Sequence, residues 1–98
     1  MGSSSASVPP RYRVDLTPRA KRELASIPRP EQERLDRAIL ALGDEPRPPG
    51  SRRVQGTDLL RIRVGPYRVL YRVKDDVLLV LVVRIGPRGS VYRRLERL

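Results

Sequence analysis

Apolar residues change their period twice along this chain. Tyr12, Val14 and Leu16 alternate with Arg13 and Asp15, the period-two pattern of a half-buried strand. Ala20, Leu24 and Ile27 then recur at helical spacing. They follow Thr17-Pro18, a hydroxyl N-cap and the residue best tolerated at the first helical position. Pro28-Arg29-Pro30 interrupts and restarts the run. Glu31 and Glu33 suit the positive end of a helix dipole, and Leu35, Ala38, Ile39 and Leu42 form a second stripe that Gly43 ends. The spacing predicts a helical hairpin, with helices over residues 18–27 and 30–42.

Residues 43–51 are a Pro/Gly loop that hinges the helices to a sheet. Arg52–Gln55 reads as a short strand. Leu60, Ile62 and Val64 alternate with Arg61 and Arg63. Gly65-Pro66 is a tight turn of type II′, in which Gly takes the positive φ. Val69, Tyr71 and Val73 continue the apolar side, with Arg68, Leu70 and Arg72 opposite. Lys74-Asp75-Asp76 turns the chain again. Val77–Val83 is an unbroken apolar run, which reads as a strand covered on both faces and therefore interior to the sheet. Val91, Leu95 and Leu98 suggest a short C-terminal helix. The expected fold is α+β: an N-terminal strand, then an αα hairpin packed on one face of a curved antiparallel sheet of four strands or slightly more. Arginines point from the other face. Residues 1–10, rich in Ser and Pro, read as a flexible tail before a single domain over 11–98.

Composition narrows the chemistry. The chain has 98 residues, with no Cys and no His. Disulfides, thiolate nucleophiles, Cys-type zinc sites and every imidazole acid or base are thereby excluded. Neither a metal nor a cofactor is expected. No apolar run approaches the ~18–20 residues of a membrane span. The start MGSSSASVPP lacks the apolar middle of a signal peptide, and Ala6 breaks the usual myristoylation pattern. The expectation is a soluble, cytoplasmic protein with no membrane partner.

The net charge of +10 is unevenly placed. Residues 1–46 hold eight basic and seven acidic groups, whereas 47–98 hold thirteen basic and four acidic. Nineteen of the 21 basic residues are Arg, whose planar fork grips two phosphate oxygens at once. Concentrated in the half that carries the sheet, this excess points to a binding face for a polyanion. With Gly65-Pro66 as a two-residue loop, Val64 faces Tyr67, Arg63 lies directly opposite Arg68, and Arg61 pairs with Leu70. Like charges directly opposite each other on a sheet are destabilising, by up to ~1 kcal/mol per pair. A bound anion would relieve that repulsion, although the wet side of an amphipathic hairpin would show the same residues. Arg88 follows in the loop Gly86-Pro87-Arg88-Gly89-Ser90, with Tyr92 just beyond.

Such a set suits phosphodiester cleavage in RNA, where the neighbouring 2′-hydroxyl is the nucleophile. The protein then has to align the attack, stabilise phosphoryl charge and move two protons. Arginines supply the charge. In a chain without His, Tyr is the candidate for proton transfer, its ordinary pKa of about 10 lowered by surrounding guanidinium groups.

The segments LLRIRVGPYRVLYRV (59–73) and LVVRIGPRGSVYRRL (81–95) resemble the RelE/ParE toxin superfamily, most of all the RelE-type ribosome-dependent mRNA endonucleases. The resemblance runs from Tyr12 to about Leu98. It places the family's two basic strand residues on Arg61 and Arg63, its post-turn arginine on Arg68, its later arginine on Arg88 and its tyrosine on Tyr92. Arg52, Arg53, Arg72 and Arg93 complete the basic set as expected RNA-binding residues. The resemblance implies a toxin of a type II toxin–antitoxin system that cleaves mRNA in the ribosomal A site. Its implied partners are the 70S ribosome, mRNA and a cognate antitoxin, held in a toxin–antitoxin hetero-oligomer. The two strand positions are often Lys in RelE, and many relatives carry His or Lys where this chain has Pro87. Two other readings stand beside it: a ParE-like inhibitor of DNA gyrase without nuclease activity, and a non-catalytic RNA-binding module.

Overall fold

The computed structural model describes residues 11–87. The expected tail over 1–10 and the expected C-terminal helix lie outside them. The order is β1 (Arg13–Leu16), α1 (Pro18–Ala25), α2 (Arg29–Ala41), β2 (Arg52–Arg53), β3 (Leu60–Val64), β4 (Tyr67–Lys74) and β5 (Leu79–Pro87). Thr17 opens α1 as its pattern requires: the hydroxyl accepts the Ala20 N–H at 3.1 Å, and Pro18 fills the first turn, where no N–H partner exists. α2 starts behind Pro28 without a side-chain cap and carries Glu31 in its first turn. Both helices end one or two residues short of the expected bounds.

Among the described residues the sheet has five strands, in the order β1-β5-β4-β3-β2. The expected hairpin register holds, with Arg63 opposite Arg68, Val64 opposite Tyr67 and Arg61 opposite Leu70. Gly65 sits at φ +59°, the left-handed region that the turn demands. One direction differs from expectation. β1 runs parallel to β5, from Arg13↔Leu79 to Leu16↔Val82, so the sheet is mixed. Tight turns force antiparallel neighbours, but an αα hairpin and two strands separate β1 from β5, and alternation carries no sign of direction.

The apolar run at 77–83 also resolves differently. Val77 and Leu78 are exposed, at 61% and 45%, and belong to the turn before β5. Leu78 adopts φ +52°, an unfavourable conformation for a γ-branched side chain, and the strand begins at Leu79. Periodicity cannot locate a turn inside a run of uniformly apolar residues. β5 is nonetheless interior, between β1 and β4.

The main core lies between the helices and one face of the sheet. Ala20, Leu35, Ile39 and Leu42 meet Ile62, Val69, Tyr71, Val80, Val82 and Ile85 there. The opposite face is less uniform than expected. Leu59, Leu70 and Val83, with Val54 and Leu81 against them, form a second small apolar cluster at one end.

Loop ends are tied by polar contacts. The Tyr71 hydroxyl donates to the Pro46 carbonyl at 2.7 Å. Asp75, in the β4–β5 turn, accepts from the Tyr12 hydroxyl at 2.5 Å and from the Arg47 fork at 2.9 and 3.3 Å. Those hydrogen bonds, Arg47's first and Tyr12's second, hold the Asp75 carboxyl below the ordinary carboxylate range. A lowered folded-state pKa adds stability above the unfolded value of about 4, and that stability is lost as pH falls through the folded value. Asp75→Asn should therefore flatten the fall of Tm between pH 5 and pH 2, read by circular dichroism. Equal slopes for parent and variant would show that the cluster does not couple to folding.

Candidate functional site

The site is built by register. β2 places Arg52 opposite Arg61, and the β3–β4 hairpin places Arg63 opposite Arg68. Successive strand residues face opposite sides, so Arg52, Arg61, Arg63 and Arg68 all stand on the face away from the helices. Gly86 of β5 lies opposite Arg68, which leaves the next position in that row without a side chain. The loop before β2 turns at Gly50, φ +92°, and with Pro49, Arg52, Arg61, Ile62 and Arg63 it lines an open depression of about 300 Å³.

The four arginines are not equivalent. Arg61 is buried, at 8% exposure, beside the apolar cluster, whereas Arg52 and Arg63 are exposed and Arg68 is half-buried. Among the described residues no carboxylate forms an ion pair with Arg52, Arg63 or Arg68. The repulsion between Arg63 and Arg68 is thus not offset by an ion pair with any described acidic side chain. From the core side, the Arg34 guanidinium of α2 comes within 3.4–3.7 Å of where a Cβ on Gly65 would stand. Cationic groups therefore flank the hairpin tip on both sides.

Other expected residues stand apart. Arg53 is in register with Leu60 and belongs to the opposite face. Arg72 shares the arginine face but lies at its apolar end, where Asp58 takes its fork at 2.9 and 3.2 Å. That pair, chiefly through its hydrogen bond, holds the Asp58 carboxyl below its ordinary range. Arg88, Tyr92 and Arg93 lie outside the described residues.

Two further charged residues escaped the pattern reading. Arg84 is 5% exposed within β5 and pairs with Glu23 of α1, Nε to Oε2 at 3.1 Å. The signal was present: a lone arginine in the run LVLVVRIG requires a counter-charge when buried. Its partner, 61 residues earlier, was not legible without the fold. Arg34 gave no signal, because it sits on a helix surface rich in charge.

Chemically, the described face offers fixed positive charge in forks that match phosphate oxygens. No group of three His, Cys, Asp or Glu among the described residues stands close enough to hold a metal ion. No helix among them is long and apolar enough to cross a membrane.

Comparison with known proteins agrees with this architecture. The family model described as the ParE toxin of the type II toxin–antitoxin system parDE matches residues 14–92. Toxin RelG of Mycobacterium tuberculosis is 35% identical over 91 residues, spanning 85% of this chain and 98% of that protein. A similar fold is found in a chain of the archaeal RelE–RelB complex from Pyrococcus horikoshii, with TM-score 0.70, 29% identity, and coverage of 82% of this chain and 98% of that one. The intact E. coli RelBE toxin–antitoxin complex gives TM-score 0.69, 26% identity, and coverage of 80% and 98%. An αα hairpin on a mixed five-stranded sheet, an arginine-lined hairpin and these matches over most of the chain lead to one conclusion: the chain belongs to the ParE toxin family, within the RelE/ParE superfamily of type II toxin–antitoxin toxins.

Proposed function

We propose that this toxin is an endoribonuclease that cuts mRNA in the ribosomal A site and so stops translation, and that a cognate antitoxin neutralises it. The supporting observation is that Arg63 and Arg68, neither in an ion pair with a described carboxylate, oppose each other directly on the face that also carries Arg52 and Arg61. Such a face is at its least favourable when empty and gains most when a phosphodiester sits on it. In the reaction the 2′-oxygen bonds to phosphorus as its proton leaves, and the P–O5′ bond breaks as the departing oxygen gains a proton. The products are a 2′,3′-cyclic phosphate and a 5′-hydroxyl. Arg61, Arg63 and Arg68 carry the phosphoryl charge. The family resemblance assigns Arg88 to the same task and Tyr92 to proton transfer.

Mapping mRNA 5′ ends with and without ribosomes tests this directly. New ends that appear in ribosome-bound message alone are the expected result. Growth arrest with intact message would instead favour the gyrase-directed reading. Binding should also respond to salt. Neutralising four phosphates through Arg61, Arg63, Arg68 and Arg88 gives a log–log slope of about −3 on single-stranded RNA, and each Arg→Ala change should flatten it by somewhat under one unit. An affinity unchanged between dilute and physiological buffer would remove the phosphate-binding role.

A further inference from the structure

β5 outruns its neighbour. The last β1 partner is Leu16, opposite Val82, so from Val83 onward the outer side of β5 meets α1 instead of a strand. A backbone N–H exposed by such an ending must find water or a side chain. Glu23 supplies it: Oε1 accepts the Ile85 N–H at 2.8 Å, while Oε2 accepts from Arg84 Nε at 3.1 Å. At the start of the same helix, the Thr17 N–H donates to the Val82 carbonyl at 2.9 Å and its hydroxyl to the Val83 carbonyl at 3.3 Å. α1 therefore grips residues 82–85 at both ends.

Those are the residues where the sheet slips. Tyr71 faces Val82 and Leu70 faces Arg84, which leaves Val83 as the extra residue of a β-bulge. A bulge bends its strand, increases the local twist and re-aims the residues beyond it. Beyond this one stand Gly86, opposite Arg68, and Pro87, opposite Tyr67. The bend of β5 thus sets where the strand end stands relative to the Arg63–Arg68 pair. The Arg84 side chain is 6% exposed and Glu23 23%, so the clasp is screened by salt and water less than a surface pair.

We propose that Glu23 is a positioning residue for this toxin. Through the Ile85 N–H and Arg84 it fixes the bulged end of β5, and with it the geometry of the phosphate site, without touching RNA. The proposal rests on the nuclease reading of the arginine face, and its test separates the two.

The test compares Glu23→Ala, Glu23→Gln and a core truncation on α2, Ile39→Val, in single-turnover cleavage of ribosome-bound mRNA. Displacing a reacting geometry costs up to about 10²-fold in rate, so Glu23→Ala should lose at least about tenfold at saturation, with half-saturation within about twofold of the parent. Glu23→Gln keeps an acceptor for the Ile85 N–H and should recover part of the loss. Ile39→Val, which lowers Tm without reaching β5's outer side, should keep the parental rate. Parental rates in both Glu23 variants, or an equal loss in Ile39→Val, would overturn the positioning role. Amide hydrogen exchange gives a second readout that needs no activity. Ile85 should exchange at least about tenfold faster in Glu23→Ala while central β4 amides hold; unchanged Ile85 exchange would overturn the clasp itself. A parent that leaves message intact, yet shows the exchange effect, would remove the nuclease reading and keep the clasp.

Discussion

Replacing Arg68 by alanine should slow single-turnover cleavage of ribosome-bound mRNA by about 10²–10³-fold, the cost of losing one preorganised charge donor. Stability should move the other way. Arg68 lies directly opposite Arg63, and no described carboxylate forms an ion pair with either, so truncation relieves a repulsion of up to ~1 kcal/mol. A variant that is more resistant to urea and far less active is hard to obtain by accident of folding. Arg68→Lys should fall between, because the charge survives while the two-pronged grip on phosphate is lost. Quench-flow rates at saturating enzyme, paired with urea midpoints, check both halves. Should Arg68→Ala cleave at nearly the parental rate, the hairpin arginines serve binding alone and the charge-stabilising role fails.

The second large effect is on folding. Leu35 is completely buried on the inner side of α2 and packs in the main core between helices and sheet. Leu35→Ala should cost about 2–5 kcal/mol, a severe loss for a domain whose total stability is of order 5–15 kcal/mol. Leu40, on the outer side of the same helix, is 64% exposed, and Leu40→Ala should stay within about 0.5 kcal/mol. Chemical denaturation of both variants measures the difference. Comparable midpoints would mean that α2 presents a different face to the sheet.

Much of this was legible from residue order because local rules dominate it. Gly65-Pro66 allows few turns, and once the turn is set the opposition of Arg63 and Arg68 comes by counting. Thr17-Pro18 likewise fixes where α1 begins. The features that escaped depend on contacts distant in sequence. The parallel pairing of β1 with β5, the burial of Arg61 beside Leu59 and Leu70, and the capture of Arg72 by Asp58 arise from how strands far apart in the chain come together. Arg53 shows a different limit. Alternation puts it on the face opposite Arg52, but a two-residue strand gives too short a pattern to read a side from. The turn at Val77-Leu78 was hidden for the opposite reason, inside a stretch whose residues are all apolar.

The place of β5 in the sheet has a consequence for biosynthesis. It is the last described strand to be made, yet β1, the first, has its described strand neighbour in it. α1 hydrogen-bonds to it at both ends, and Tyr12 reaches Asp75 just ahead of it. A nascent chain that has not yet emitted residues 79–87 can close the β3–β4 hairpin, but it cannot seat its first strand or its first helix. Such long-range closure is slow and comes late in folding. The arginine face therefore acquires its final shape only once β5 has left the exit tunnel, and until then the ribosome that makes this protein meets it as an incomplete sheet.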